Sequence, residues 1–255
     1  MEKNYGFILF FTKNFEEISN NLINSIILFS KYKIEVNTIN YDYITNNEKV
    51  ISKRINLDNL SFESIMSAKF ISSINTNFDI ALILDSDMIV TKDIDNIFLE
   101  NENIINNKDF PLFAKHPHKY HTFEINQNHV STITNKNPKM PWVYANYLFS
   151  GTKHKWFFEK TLEIYKKYQY IVDEVIINAL LVEYEVDYDL GYNYFPNCYP
   201  DSVEYYFDNT YDKGKIEINN IYNDIPIKFY AFHGHLCKDI EYTKKLIERI
   251  NNNKQ

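Results

Sequence analysis

The chain has 255 residues, 45% of them hydrophobic and 16% aromatic, with a formal net charge of −7. That length fits a single α/β domain, alone or with a small extra lobe. No basic stripe stands out, so nucleic acid is not an expected partner. The apolar run over residues 5–11 is too short to span a bilayer. A buried first strand explains it, and the cytoplasm is the expected location, without a transmembrane segment. Cys198 and Cys237 lack zinc or disulfide-framework spacing and read as free thiols.

In chain order, residues 5–12 form a continuous apolar run and predict a buried strand. Residues 14–31 predict a helix, with Ile18, Leu22, Ile26 and Phe29 on one face and Lys31 in the last turn. Residues 34–40 alternate apolar and polar, the period of a strand. A helix over 61–75 opens on Ser61 as a cap, with Glu63 in its first turn. Residues 79–84 predict another buried strand. This strand–helix–strand–helix–strand order implies a mostly parallel sheet covered on both faces.

Beyond it, residues 101–108 read as a polar connection, 111–114 as a strand and 116–141 as a loop. Residues 147–152 read as extended, 156–168 and 172–182 as helices, 228–232 as a late strand and 239–251 as a polar helix. No repeat or linker divides the chain. It reads as one domain over 1–255, with halves over 1–100 and 101–238 and a closing helix over 239–255.

The most informative stretch runs from Ala81 to Val90, where Asp85 and Asp87 interrupt an apolar run. Buried carboxylates are unfavourable unless something compensates them. At the carboxyl end of a parallel strand they face the crevice where α/β sheets bind ligands. Two acids two residues apart in extended backbone point the same way, so both can share one hard cation whose shell a diphosphate completes. The alternative is that one caps a helix and the other is solvated.

Residues 78–98 resemble the Asp-x-Asp region of GT-A fold glycosyltransferases, and most closely glycosyltransferase family 8, the glycogenin-like and lipopolysaccharide galactosyltransferase-like enzymes. The segments Met88-Ile89-Val90 and Asp93-Ile94-Asp95 stand where that family has a hydrophobic stretch and an acidic patch. The resemblance implies a Rossmann-like, mostly parallel central sheet flanked by helices, with a small acceptor-side subregion. It implies metal and ribose contact for Asp85 and metal contact for Asp87, with Ser86 between them in the donor-binding set. Lys69 stands where family members carry a basic residue that reaches the donor phosphates; the alternative is an ordinary surface lysine.

Three further segments are similar to family motifs. Phe232 to Lys238 resembles the late His-x-x-Gly-x-x-Lys motif, one residue short. It implies a third metal ligand at His233 or His235, with Gly234 beside them and Lys238 on the diphosphate. Asp173-Glu174-Val175-Ile176-Ile177-Asn178 resembles the family's Asp-Gln-Asp-x-x-Asn helix start, with Glu174 for the Gln and Val175 for the second Asp. A carboxylate beside the anomeric centre can stabilise positive charge, attack, or act as a base; otherwise both acids simply suit a helix N-terminus. Phe149-Ser150-Gly151 stands where the family has an Asn-containing motif, leaving Ser150 or the Gly151 backbone as substitutes. Tyr192-Asn193-Tyr194 also falls in a family-like position.

Thr12, Tyr41 and Asp42 follow strands and are candidates for base and ribose contact by analogy of fold. Trp142, Tyr144 and Tyr147 suit either an acceptor sugar or the core. His116, His118 and His121 read as an exposed turn. The expected reaction is hexosyl transfer from a nucleotide sugar, UDP by resemblance, to a glycan, lipid-linked or protein acceptor. The expected cofactor is Mn²⁺ or Mg²⁺, and the expected stereochemistry is retention. The alternatives are a nucleotidyltransferase, disfavoured because Phe11-Thr12-Lys13-Asn14-Phe15 stands where a glycine-rich loop belongs, and an inactive nucleotide-sugar-binding protein.

Overall fold

Alternate residues of the first strand feed two different cores. The computed structural model describes residues 3–90, 93–115, 124–136, 142–168, 171–186 and 231–233, with positions 240, 241, 244, 245 and 248. In β1 (Tyr5–Phe11), Phe7, Leu9 and Phe11 point into one core and Ile8 and Phe10 into the other. In β4 (Ile80–Ile83) and the residue after it, Ile80, Leu82 and Leu84 join the first core, Ala81 and Ile83 the second. A strand apolar on both faces belongs at the centre of a sheet covered by helices.

That sheet has six strands in the order β3-β2-β1-β4-β7-β6, where β2 is Lys33–Ile39, β3 Val50–Ile55, β6 Leu112–Lys115 and β7 Val143–Ser150. Strands β3, β2, β1 and β4 are parallel, while β7 runs antiparallel to both β4 and β6. Helices α1 (Glu16–Phe29) and α3 (Asn96–Asn107) bury their apolar faces in the first core. Helices α2 (Phe62–Ile74), α5 (Lys155–Lys167) and α6 (Asp173–Glu183) bury theirs in the second, as does Val130 of α4 (Glu124–Thr134). A small second sheet pairs β5 (Met88–Val90) with β8 (Ala231–His233). Among the described residues no helix is long and apolar enough to cross a membrane.

Ser61 caps α2 as expected, accepting from Ser64 N at 3.3 Å. Three other expectations change. The polar connection over 101–108 is mostly helix: Ile97, Phe98, Asn101 and Ile105 of α3 repeat along one buried face. The loop over 116–141 contains α4. Strand β3 is an additional edge strand, with exposed Arg54 on it and Lys53 turned toward β2. The polar residues of β2, Glu35 and Asn37, are buried. Glu35 is 1% exposed, held by Lys53 Nζ at 2.6 Å and by Asn37 Nδ2 at 3.1 Å.

At the amino edge of the sheet, glycine permits close packing around Phe78. A Cβ on Gly6 would lie 2.2 Å from the Phe78 ring, and one on Gly151 2.3 Å from its carbonyl oxygen. Nearby, His154 is fully buried with both ring nitrogens engaged. Nδ1 accepts from Ser150 N and Nε2 meets the Lys108 carbonyl oxygen, each at 3.1 Å, which selects the neutral Nε2–H tautomer. Burial pushes its pKa down to about 4. A folded-state pKa below the unfolded value supports stability above the unfolded pKa, lost as pH falls through the window from about 6.5 to 4. His154→Gln is therefore expected to flatten the decline in melting temperature across that window; thermal melts at stepped pH check it.

Candidate active site

The site lies where β4 ends. Leu84 still donates to Ile8 O, and the chain then turns sharply, with Met88 N donating to Asp85 O at 3.2 Å. The extended backbone expected at Asp85 and Asp87 is thus a tight turn, and both acids sit partly exposed on it at the carboxyl end of the sheet. Ser86 Oγ donates to Phe10 O at 2.6 Å and pins the turn to β1. Its hydroxyl hydrogen therefore serves the fold.

The antiparallel register of β7 determines what faces this turn. Ile80 lies opposite Ser150 and Ile83 opposite Tyr147, so residues 145 and 146 fall beside Asp85. Asn146 clamps that aspartate twice. Its Oδ1 accepts from Asp85 N at 2.9 Å, and its Nδ2 donates to Asp85 Oδ2 at 3.2 Å. Ser150 and Gly151 sit at the opposite end of β4, where Gly151 N donates to Asp79 O, so neither substitutes for the family asparagine. Asn146, three residues before the motif expected to carry it, is the asparagine at the site. Its place inside an apolar run was the available signal.

Lys69 rises from α2 into the same cluster and is 1% exposed. Its ammonium donates to Asp85 Oδ1 at 2.6 Å, to the carbonyl of Ala145 at 3.0 Å, and to Asp173 Oδ2. Burial alone favours the neutral amine, but the Asp173 and Asp85 carboxylates outweigh it and hold the pKa above the ordinary lysine value.

Asp173 and Glu174 open α6, where the helix dipole favours acids. Asn178 fixes this helix to the start of β7: its Nδ2 donates to Val143 O and its Oδ1 accepts from Val143 N, each at 3.0 Å. Glu174 accepts a hydrogen bond from the indole Nε1 of buried Trp142. Its pKa is pushed up to about 8, first by burial and then by the charges of Asp173 and Asp85. One ammonium already serves two carboxylates here, so a third is uncompensated and keeps its proton.

The remaining candidates lie around and away from this cluster. Thr12 and Tyr41 stand at the carboxyl ends of β1 and β2, where Lys13 Nζ lies 5.2 Å from the Tyr41 ring centroid. Asp42 is exposed beside Arg54, 3.4 Å away. Asp93 and Asp95 are elsewhere: Asp95 accepts from Ser30 Oγ and Lys31 N at the turn between α1 and β2. Trp142, Tyr144 and Tyr147 are all buried in the core. His233 pairs with Met88 across the β5–β8 ladder, which sets its backbone one residue from Asp87 in register. His235, Gly234, Lys238, His116, His118, His121, Tyr192, Asn193, Tyr194, Cys198 and Cys237 lie outside the described residues.

Among the described residues no three His, Cys, Asp or Glu side chains gather as a metal cluster. The donor set on the turn nevertheless fits a hard cation. Asp85 and Asp87 offer carboxylate oxygens with lone pairs beyond those used in hydrogen bonds, and the strand carrying His233 runs alongside.

This arrangement of sheet, helices and crevice is the GT-A fold of glycosyltransferases. The solved structures it resembles include a glutamine-to-glutamate active-site mutant of LgtC, at 13% identity and TM-score 0.59, covering 96% of this chain and 95% of that one. The galactosyltransferase LgtC in complex with donor and acceptor sugar analogues matches at 13% identity and TM-score 0.57, over 97% and 95%. The bifunctional glycosyltransferase WbbM matches at 14% and TM-score 0.61, over 98% of this chain but 52% of its own. No protein-family model matches the chain, and no curated protein matches it in sequence.

Proposed function

We propose that the chain is a metal-dependent glycosyltransferase that moves a hexose from a nucleotide sugar, a UDP-sugar by resemblance, to an acceptor hydroxyl with retention. The observation that carries this reading is the acidic turn at the end of β4, set in a GT-A sheet and joined through Lys69 to Asp173 at the start of α6. In this reading the donor nucleotide lies along the carboxyl edge near Thr12 and Tyr41. Its diphosphate comes to the Asp85–Asp87 turn, with Lys238 and one of His233 and His235 completing the set. A divalent cation bound there, Mn²⁺ for a mixed carboxylate and imidazole site, supplies Lewis-acid neutralisation of the charge that grows on the departing diphosphate.

The protein's own groups do the rest. The carboxylate of Asp173 faces the positive charge that develops on the sugar ring. Glu174, protonated below about pH 8, acts as a hydrogen-bond donor, as the amide of a glutamine does. Trp142 fixes the Glu174 oxygen that does not carry that proton. The cytoplasm remains the proposed location.

Incubation with a panel of UDP-hexoses and Mn²⁺ tests the reading. Release of UDP to water or an added acceptor supports transfer. Tight binding without release makes the protein a binding module, and pyrophosphate release from a nucleoside triphosphate makes it a nucleotidyltransferase.

A further inference from the structure

We propose that Lys69 is a positioning residue that joins the two acidic arms of the site and makes no contact with the donor diphosphate; this rests on the transfer reading above. An ammonium has three N–H donors. Asp85 Oδ1, Ala145 O and Asp173 Oδ2 take all three. The Phe10 ring, its centroid 5.5 Å from Nζ, covers a further side, and the residue is 1% exposed. A phosphate reaching Nζ has to displace one of these acceptors. Displacing Asp173 strips a largely buried carboxylate of its ammonium, and displacing Asp85 leaves that carboxylate to Asn146 alone, so either exchange is unfavourable.

The two arms depend on Lys69 unequally. Asp85 keeps its double clamp from Asn146 when Lys69 is removed. The Asp173 carboxylate is otherwise held by Glu174 N, at 2.9 Å, on its own helix. Among the described residues, Lys69 is what ties that carboxylate to the sheet side of the crevice, across 104 residues of sequence. Loss of Lys69 therefore loosens the group that faces the sugar and leaves the diphosphate end in place.

The test separates affinity from turnover in Lys69→Met and Lys69→Arg. Calorimetry measures UDP binding in the presence of Mn²⁺, and kcat is measured with the UDP-hexose that the wild type hydrolyses or transfers. UDP affinity within about tenfold of wild type, with kcat lowered by more than about tenfold in Lys69→Met and partly restored in Lys69→Arg, is the expected result, since small misplacements cost about a hundredfold in rate. Affinity lost by more than about tenfold, or kcat within about tenfold of wild type, overturns the proposal. Should Lys69→Met fail to fold, Lys69→Gln, which likewise lacks the ammonium, carries the same test. If the wild type neither binds UDP with Mn²⁺ nor turns over a UDP-hexose, the transfer reading itself fails. The bridge is then read from melting temperatures of Lys69→Met, Asp173→Asn and the double variant. A double variant no less stable than the worse single one supports the bridge, and additive losses overturn it.

Discussion

Asp87→Ala is expected to lower turnover of the donor by about a thousandfold, the scale for removing one element of preorganised charge stabilisation, while the protein stays folded. The asymmetry between the two aspartates of the turn makes this the informative substitution. Asp85 is built into the fold: Lys69 and Asn146 hold its carboxylate, and Asn146 also caps its backbone N–H. Removing it leaves a buried ammonium short of one partner, and a stability loss would confound any loss of activity. The backbone of the turn that carries Asp87 is closed by Met88 N donating to Asp85 O and pinned by Ser86 Oγ donating to Phe10 O. A stability change within about 1 kcal/mol is expected for a partly exposed turn position. Parallel assays of UDP release and thermal melting check both halves, and turnover near that of the wild type contradicts the mechanism.

Glu174→Gln is expected to stabilise the protein increasingly as pH rises. Folding raises the carboxyl pKa from 4.5 to about 8. The folded state therefore binds a proton that the unfolded state has released, and the contribution of Glu174 to stability is lost as pH climbs through that window. At about 1.4 kcal/mol per unit, the gap between wild type and variant reaches of order 4 kcal/mol near pH 8. The amide keeps an oxygen for Trp142 and does not ionise. On the proposed role, Glu174→Gln also retains activity at pH 7 and loses the alkaline decline of the wild type near pH 8. A large loss of activity at pH 7 assigns the work to the ionised carboxylate instead. A stability gap independent of pH shows that Glu174 is solvated.

Local patterning announced much of this fold, and the failures have identifiable causes. The all-apolar runs of β1 and β4 could only be central strands, and Ser61 followed by Glu63 marked the start of α2. Helix α3 escaped notice because Asn and Glu dominate its composition, yet its buried face needs only Ile97, Phe98, Asn101 and Ile105. Edge position hid β3, where neighbours on one side alone impose no apolar pattern. In β2 the polar residues Glu35 and Asn37 are both buried, and Lys53 from the next strand is what lets Glu35 be so.

For the site, the break in an apolar run at Asp85 and Asp87 carried real information, because a buried acid demands a partner. The identity of that partner was not legible. Lys69 lies 16 residues from Asp85 and 104 from Asp173, and no local signal distinguishes it from a surface lysine. Asn146 depends on the register of β7 against β4, a property of two strands together that neither sequence segment contains. Glu174 stood out as a departure from a family motif, but its protonation follows from burial and from the nearby charges of Asp173 and Asp85, which outweigh the opposing pull of Trp142 and Lys69.

The most direct measurement is anomalous diffraction at the manganese edge from crystals soaked with Mn²⁺ and UDP. A single strong peak in coordination contact with the Asp85–Asp87 turn and the UDP phosphates is the predicted result. UDP ordered along the carboxyl edge with no manganese at that turn, or manganese bound away from both acids, contradicts the account.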